Sequence, residues 1–294
     1  MDNNLFTIKD LENLSGIKAH TIRIWEQRYT FLKPSRTTTN IRYYTNEELK
    51  IILNVSLLNK YGFKVSHINK LSDAEVQEKI LTLNQTEAQQ ERLVNELIQH
   101  MIEIKLDKFE AILDTSIMLR GVDKTINQLV FPFLEKIGFL WLTNHVNPAQ
   151  EHLVTNIIRQ KIIIGIEKAP AIPTTDKSII LFLPEGEHHE LGLLFMHFML
   201  KSKGIKVIYM GSAVPIKDVR YLVEKLNPTY LYTHLTVVGR NFNFEKFLAN
   251  LYEAVPNIPL VVSGYLASSY SKTVPPNTQL KSTLKSVTDF ISTI

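Results

Sequence analysis

Residues 178–192 read SIILFLPEGEHHELG, a mostly apolar run over 178–183 followed by a polar loop with two histidines. A short apolar run of this kind predicts a buried strand of a parallel sheet that leads into a strand-to-helix loop. The loop has the form E-x-H-x-x-G, made by Glu187, His189 and Gly192. Because open α/β sheets bind ligands at such loops, the stretch predicts an α/β fold and a ligand site together.

The loop histidine has the chemistry of a metal ligand. A neutral imidazole can bind a soft or borderline metal through one nitrogen while its other N–H donates to a carboxylate, which fixes the tautomer. Glu187 could be that carboxylate, and Gly192 would let a bulky ligand approach the backbone. A solvated or hydrogen-bonded loop histidine is the ordinary alternative for His189.

Two further apolar runs end on small residues. Residues 229–232 lead into Thr233-His234-Leu235, and residues 258–262 lead into Ser263-Gly264. Small residues at successive strand ends of one sheet leave a deep slot for a nucleotide-like tail, since larger side chains would fill it. We call this space the predicted slot and define it by Thr233, Ser263 and Gly264.

Residues 177–294 resemble the Rossmann-like cobalamin-binding domain, whose pattern is D-x-H-x-x-G, S-x-L and G-G. Here Glu187 stands for the Asp, Thr233 for the Ser and Ser263 for the first Gly, so that Ser263 adds a side chain where space is expected to be tight. The resemblance implies that cobalamin binds with its own dimethylbenzimidazole displaced and with His189 as the axial cobalt ligand. The cofactor-binding residues that it implies are Glu187, His189, Gly192, Thr233, Leu235, Ser263 and Gly264.

Length and composition bound the other possibilities. The 294 residues have room for two or three domains, and a hydrophobic content of 45% supports packed cores. The chain has no cysteine, which excludes disulfides, thiolate zinc sites and cysteine nucleophiles. No apolar run approaches membrane-spanning length and residues 1–4 lack signal-peptide features, so we expect a cytoplasmic protein without a membrane segment.

The positive charge is concentrated at the N-terminus. Residues 1–70 contain 11 Lys and Arg against 6 Asp and Glu, whereas the whole chain has a net charge of +4. A small basic unit on a near-neutral body indicates a polyanion partner for that unit alone. A solvated basic face is the alternative that charge counting leaves open.

Residues 7–44 predict a winged helix-turn-helix. A capping-box-like start at Thr7 opens a short helix that Gly16 ends, and a second helix directs Ile22 and Trp25 toward the core. The polar, basic outer face of the second helix suits the major groove of DNA. The alternating residues 41–44 predict a small hairpin or wing.

Residues 5–75 closely resemble the MerR family of DNA-binding domains. The residues that carry the resemblance are 21–29 and the later Pro34, Arg36, Arg42 and Tyr44. The DNA contacts that the resemblance implies are Thr21, Arg23, Arg28 and Tyr29 on the recognition helix and Arg36, Arg42 and Tyr43 on the wing. Family wings usually carry glycines near Thr39-Asn40, but Asn tolerates positive φ. We expect Trp25 in the core and expect Glu26 to orient a neighbouring arginine.

Residues 73–168 show helical periodicity and predict a four-helix bundle with breaks at 121–123 and 144–148. Pro148 suits the first position of the last helix, with Asn147 as its cap. Trp141 therefore ends one helix, and Glu151 and His152 lie near the start of the next. Taken alone, Trp141 is more simply a core residue.

The spacing W-x9-E-H resembles the helical cap of cobalamin-dependent photoreceptor repressors of the CarH/LitR kind. That resemblance implies that Trp141, Glu151 and His152 cover the adenosyl face of the cofactor. In the best-known light-responsive members a His follows the Trp directly, whereas Leu142 stands here. The predicted domains are a winged helix-turn-helix over 1–75, a helical cap over 76–170 and a Rossmann-like domain over 177–294, a multidomain α and α/β protein.

Three classes of function follow. The leading one is a transcriptional regulator, expected to be a repressor, which binds double-stranded operator DNA as a dimer or tetramer. Cobalamin controls this binding, with adenosylcobalamin as the favoured form and light as a candidate signal. The second is a light-independent regulator governed by a protein antirepressor. The third is a cobalamin-dependent methyltransferase or mutase subunit, but an enzyme of that kind needs a substrate domain of about 250 residues. We therefore expect no enzyme and assign no catalytic residue.

Overall fold

This computed structural model describes residues 5–142, 146–170, 172–236 and 242–294, except for the side chains of Phe139, Trp141 and Leu142. The chain forms two compact units, Met1–Ile158 and Arg159–Ile294. The first unit is helical apart from a small hairpin, and the second contains a parallel sheet. The predicted multidomain α and α/β fold is confirmed.

The N-terminal part of the first unit is a winged helix-turn-helix. Its elements are α1 (Ile8–Ser15), α2 (Ala19–Arg28), β1 (Ser35–Arg36), β2 (Arg42–Tyr43), α3 (Asn46–Lys60) and α4 (Val65–Ile68). Thr7 forms a capping box at α1, and Gly16 ends that helix in the left-handed conformation. Strands β1 and β2 pair antiparallel as the wing, where Asn40 has a φ of 65°, a conformation that Asn tolerates.

A helical bundle follows along the chain. Its elements are α5 (Asp73–Leu81), α6 (Thr86–Ile102), α7 (Leu106–Thr125), a π-helical segment (Ile126–Val130), α8 (Phe131–Leu142) and α9 (Pro148–Lys168). Gly121 has a φ of 82° and kinks α7, at the break that the sequence predicted. Helix α9 begins at Pro148, and the Asn147 side chain accepts a hydrogen bond of 2.9 Å from the amide of Ala149, which confirms the predicted cap.

The second unit is a Rossmann-like α/β domain. Its elements are β3 (Ser178–Pro184), α10 (Leu191–Ser202), β4 (Lys206–Val214), α11 (Ile216–Leu226), β5 (Tyr230–His234), α12 (Phe244–Ala254), β6 (Leu260–Ser263), α13 (Tyr265–Ser269), β7 (Thr278–Lys281) and α14 (Leu284–Thr293). The parallel strands run in the order β4-β3-β5-β6-β7. The order reverses between β3 and β5, which is where such sheets bind ligands.

Both faces of this sheet are buried, as a parallel sheet requires. Ile180 and Phe182 pack on one face with residues of α11 and α12, and Ile179 and Leu181 pack on the other with residues of α10 and α14. The loops at the carboxyl ends of β3, β5 and β6 therefore stand on a rigid support. Of the helices that the structure describes, none has the length and apolar character needed to cross a lipid bilayer.

Candidate functional site

The loop after β3 is organised around the carboxylate of Glu187, which is fully buried. Its Oε1 accepts backbone hydrogen bonds of 2.9 Å from His188 and His189 and lies 2.6 Å from Nδ1 of the His189 ring. Its Oε2 accepts a hydrogen bond of 2.9 Å from the amide of Thr236, in the loop after β5. The carboxylate therefore fixes the histidine and links the two loops at the switch point.

These hydrogen bonds decide the charge of Glu187. Burial acts to raise the pKa of Glu187, but the hydrogen bonds from the ring and amide of His189 and from Thr236 outweigh it and hold the pKa below its ordinary value. An ionised carboxylate accepts from Nδ1–H, so a neutral His189 carries its proton on Nδ1 and its lone pair on Nε2. The His189 side chain is 48% exposed.

Gly192, in the first turn of α10, lies against the imidazole of His234. A Cβ atom at position 192 would stand 2.4 Å from both Cδ2 and Nε2 of that ring. Real Cβ atoms do not approach other atoms so closely, so only glycine fits while the ring keeps this position. Gly192 therefore permits a close contact, as the sequence indicated, but the group in contact is a side chain of the protein itself.

Ser263 holds the same ring from β6. Its hydroxyl lies 2.8 Å from Nδ1 of His234 and 2.5 Å from the hydroxyl of Tyr232, which is buried. His234 and Ser263 are partners in register on the neighbouring strands β5 and β6. The extra side chain that distinguishes Ser263 from the family's glycine thus takes part in a hydrogen-bonded chain of three residues.

The other residues of the predicted slot have different surroundings. Thr233 is fully buried, and its hydroxyl has no hydrogen-bond partner within the described part of the chain. Since side chains alternate along a strand, Thr233 faces the opposite side of the sheet from His234. Gly264 has a φ of 94°, and a Cβ there would stand 2.4 Å from the carbonyl oxygen of Leu235, which is itself buried. Glycine is required at position 264 by both the conformation and the close approach.

His234 was not predicted from the sequence as a candidate site residue. The residue occupies the variable position of T-x-L, and its approach to Gly192 depends on how α10 packs on β5. The available signal was a polar residue at the end of a buried run, next to the small residue Thr233. The contacts of Glu190 were not predicted either. Its side chain forms an ion pair with Arg159 and accepts a hydrogen bond of 3.1 Å from the hydroxyl of Tyr209.

The recognition helix of the first unit presents the predicted DNA contacts. Ile22 and Trp25 of α2 are buried, which confirms the core position of Trp25, while Arg23 and Arg28 are exposed. Thr21 and Tyr29 are partly buried, and the Tyr29 ring stacks on Phe31 at a centroid distance of 5.7 Å. The basic side chains of this helix therefore project away from the core.

Glu26 connects the recognition helix to the wing. Its carboxylate accepts a hydrogen bond of 2.9 Å from Nε of Arg42 and another from the hydroxyl of the buried Tyr44. This contact confirms that Glu26 orients an arginine. Arg36, by contrast, is exposed and donates to the Asn40 side chain at 2.8 Å, within the wing turn, and Tyr43 is partly buried.

The predicted cap residues lie at two helix ends. Glu151 and His152 are in the first turns of α9, where Nδ1 of His152 lies 3.3 Å from Oε2 of Glu151 and the His152 side chain is 72% exposed. Trp141 belongs to α8, but its side chain lies outside the described part of the structure.

Two family models match successive parts of the chain. Residues 6–75 match the family model described as MerR HTH family regulatory protein. Residues 93–164, which run from within α6 to within α9, match the family model described as B12 binding domain. The two matches cover the winged helix-turn-helix and most of the helical bundle.

Two similar proteins from Myxococcus xanthus align with nearly the whole chain. HTH-type transcriptional repressor CarH is 26% identical over 279 residues, or 92% of each chain. HTH-type transcriptional repressor CarA is 27% identical over 272 residues, which cover 91% of this chain and 89% of CarA. A monomethylamine corrinoid protein from Methanosarcina barkeri shares the fold: its structure covers 69% of this chain and 99% of its own, with a TM-score of 0.53 and 10% identity.

Proposed function

We propose that this chain, a MerR-family regulator that carries a B12-binding domain, is switched by a cobalamin bound through His189. The MerR-type domain makes it a DNA-binding protein, and its relatives over nine-tenths of the chain are transcriptional repressors. It is therefore a cobalamin-dependent transcriptional regulator and not an enzyme. The identity of the metal ligand, the form of the cofactor and the switch itself are the proposal.

One observation carries the proposed role of His189. The buried carboxylate of Glu187 holds Nδ1 of the ring at 2.6 Å, at the switch point of a parallel sheet. This is the carboxylate–histidine pair that orients a metal-binding imidazole and raises its basicity. With the proton on Nδ1, Nε2 is the atom that would bind cobalt.

The residues fit the cofactor on the side of the metal. Glu187, His189 and Thr236 form a preorganised support for an axial ligand, and the His189 side chain is half exposed. On the side of the predicted slot, the His234 ring stands between Ser263 and Gly192. The domain bounds that we propose are those predicted from the sequence: 1–75, 76–170 and 177–294. The cofactor-binding residues that we propose in the last of these are Glu187, His189, Gly192, Thr233, Leu235, Ser263 and Gly264.

The finer proposal concerns the form of the cofactor and the signal. When bound, adenosylcobalamin would supply a cobalt–carbon bond that green light breaks. We propose that Trp141, Glu151 and His152 contact the adenosyl group and that this contact favours a dimer or tetramer on DNA. A ligand shifts an assembly equilibrium only through its different affinity for the two states, so the adenosyl group itself must be what these residues sense.

A second candidate is a regulator that is independent of light and is controlled by a protein antirepressor. The sequence favours it at one position, because Leu142 stands where a light-responsive protein would have a second cobalt-binding histidine after the Trp. Under this candidate the DNA-binding unit works as proposed, but removal of the adenosyl group leaves assembly unchanged.

The proposal is tested by titrating the purified full-length chain with hydroxocobalamin in the dark. Bound cobalamin with a histidine axial ligand has an absorption spectrum different from that of the free cofactor. We expect His189→Ala to remove this spectrum and to weaken binding, whereas His188→Ala, the matched change at the adjacent exposed histidine, should leave both unchanged. An identical spectrum in the wild type and His189→Ala would refute the assignment.

A further inference from the structure

The imidazole of His234 is held on two sides. On one side it rests on the α-carbon of Gly192, so closely that a Cβ there would stand 2.4 Å from two ring atoms. On the other side its Nδ1 lies 2.8 Å from the hydroxyl of Ser263, which is in turn bonded to Tyr232. The ring therefore spans the distance between the start of α10 and the end of β6.

The ring is in contact with one residue of the predicted slot. Of the three residues that define the predicted slot, Ser263 is bonded to the ring and Gly264 lies against the backbone of Leu235. The third, Thr233, faces the other side of the sheet from His234. The His234 ring therefore lies between Gly192 of α10 and Ser263 of β6, on the α10 side of the sheet.

The ring suits an apolar environment because it is neutral. Burial lowers the pKa of His234 to about 4. At neutral pH the imidazole therefore carries no charge that would require solvation or a carboxylate partner. It can remain packed on Gly192 with a single hydrogen bond to Ser263.

From these contacts we propose that His234 is a specificity residue that closes the slot, so that a corrinoid with a nucleotide tail binds only after the ring leaves Gly192. A corrinoid without that tail needs no such movement. This inference rests on the proposed function, since it assumes that His189 and its loop bind a corrinoid. Displacing the ring breaks one hydrogen bond and a packed contact, which reduces the affinity for the tailed ligand by about tenfold, equivalent to about 1.4 kcal/mol.

The test compares two probes on the full-length chain in the dark: hydroxocobalamin, which has the nucleotide tail, and diaquocobinamide, which lacks it. Equilibrium dialysis with the corrin absorbance gives both dissociation constants. We expect His234→Ala to tighten cobalamin binding by about tenfold while cobinamide binding changes by less than about twofold. The matched control is His197→Ala, a partly buried histidine of α10 that stacks on Tyr209 with ring centroids 5.3 Å apart. It should leave the ratio of the two constants unchanged.

A second variant keeps the inference testable if His234→Ala fails to fold. Ser263→Ala keeps the ring but removes its anchor, so it should shift the ratio in the same direction by a smaller factor. If both variants bind corrinoids with the wild-type ratio, His234 does not close the slot and the inference is overturned while the proposed function stands. If neither corrinoid binds to the wild type or to either variant, the proposed function fails and the inference fails with it.

Discussion

The buried carboxylate of Glu187 accepts a hydrogen bond of 2.9 Å from the backbone amide of Thr236, and so joins the loop after β3 to the loop after β5. The same side chain accepts two further backbone amides and the His189 ring. Within the described part of the chain, a single acidic side chain thus satisfies four donors from two loops. Since the two loops flank the switch point of the sheet, this carboxylate sets the geometry of the whole candidate cofactor site.

Glu187→Gln should destabilise the second unit. An amide has one acceptor oxygen and two N–H donors, so at least one backbone amide would face a donor, at a cost of about 1–3 kcal/mol. Because the pKa of Glu187 is held below its ordinary value, the stabilisation by this carboxylate is present above the pKa of the unfolded chain and is lost as the pH falls through the folded value. Urea unfolding at several pH values should show the variant and the wild type converging in acid.

Glu185→Gln is the matched control, because Glu185 is an exposed carboxylate two residues away in the same loop. It should change the free energy of unfolding by less than about 0.5 kcal/mol. Equal losses in the two variants would contradict the central role of Glu187.

Gly192→Ala should lower stability, because the added Cβ would stand 2.4 Å from the His234 ring. Displacing or straining the ring is expected to cost about 1–3 kcal/mol. Combining it with His234→Ala should recover much of this loss, since the clash disappears, and a double-mutant cycle on thermal unfolding measures that coupling. Gly138→Ala is the control: a Cβ in the middle of α8 meets nothing within 4 Å in the described structure, so no loss is expected. Additive losses would mean that the Gly192–His234 contact is absent in solution.

His234 should titrate with a pKa near 4 in NMR spectra of the imidazole, well below its ordinary value of 6.5. Burial is the main cause, and the charge of Glu187 opposes it only in part. Between these two pH values the unfolded chain binds more protons than the folded chain, so stability falls as the pH drops, by up to about 3 kcal/mol. His234→Gln should have a shallower pH dependence of unfolding in this window. Titration of His234 near 6.5 in the folded protein would show that the ring is in solvent.

Arg23→Ala should weaken binding to duplex DNA, because the exposed guanidinium lies on the outer face of α2. Loss of a phosphate contact should reduce the slope of log affinity against log salt by about 0.9, and loss of a base contact should cost about 1–3 kcal/mol of discrimination. Arg42→Ala should act similarly through the wing, where Glu26 orients the side chain. Gel-shift titrations at several salt concentrations measure both effects, with the exposed Arg220→Ala of α11 as the control. Unchanged operator affinity in both test variants would overturn the proposed docking.

Adenosylcobalamin should promote an oligomer in the dark, and green light should reverse it. Removal of the adenosyl group would leave the polar Glu151 and His152 without the ligand that we propose they contact. Size-exclusion chromatography in dark and light, with the adenosyl and hydroxo forms, measures the effect, and His189→Ala should abolish it. Identical elution in all four conditions would favour control by a protein partner.

The sequence by itself determined the elements that depend on local residue patterns. The capping box at Thr7, the break at Gly121 and the cap at Asn147 depend on residues within a few positions of one another, so local preferences suffice to predict them. The apolar runs of β3, β5 and β6 likewise predicted buried parallel strands. The contact between Glu187 and His189 could be predicted because the two residues are two positions apart.

Only the tertiary structure decided which side chains meet at the sheet. The bond from Glu187 to Thr236 spans 49 residues, and the bond from His234 to Ser263 spans 29. The strand order β4-β3-β5 and the packing of α10 bring these groups together. Neither the strand order nor the helix packing can be predicted from the spacing of residues along the chain. For this reason the sequence did not predict that the His234 ring would lie between Gly192 and Ser263, because its position depends on contacts with two other elements.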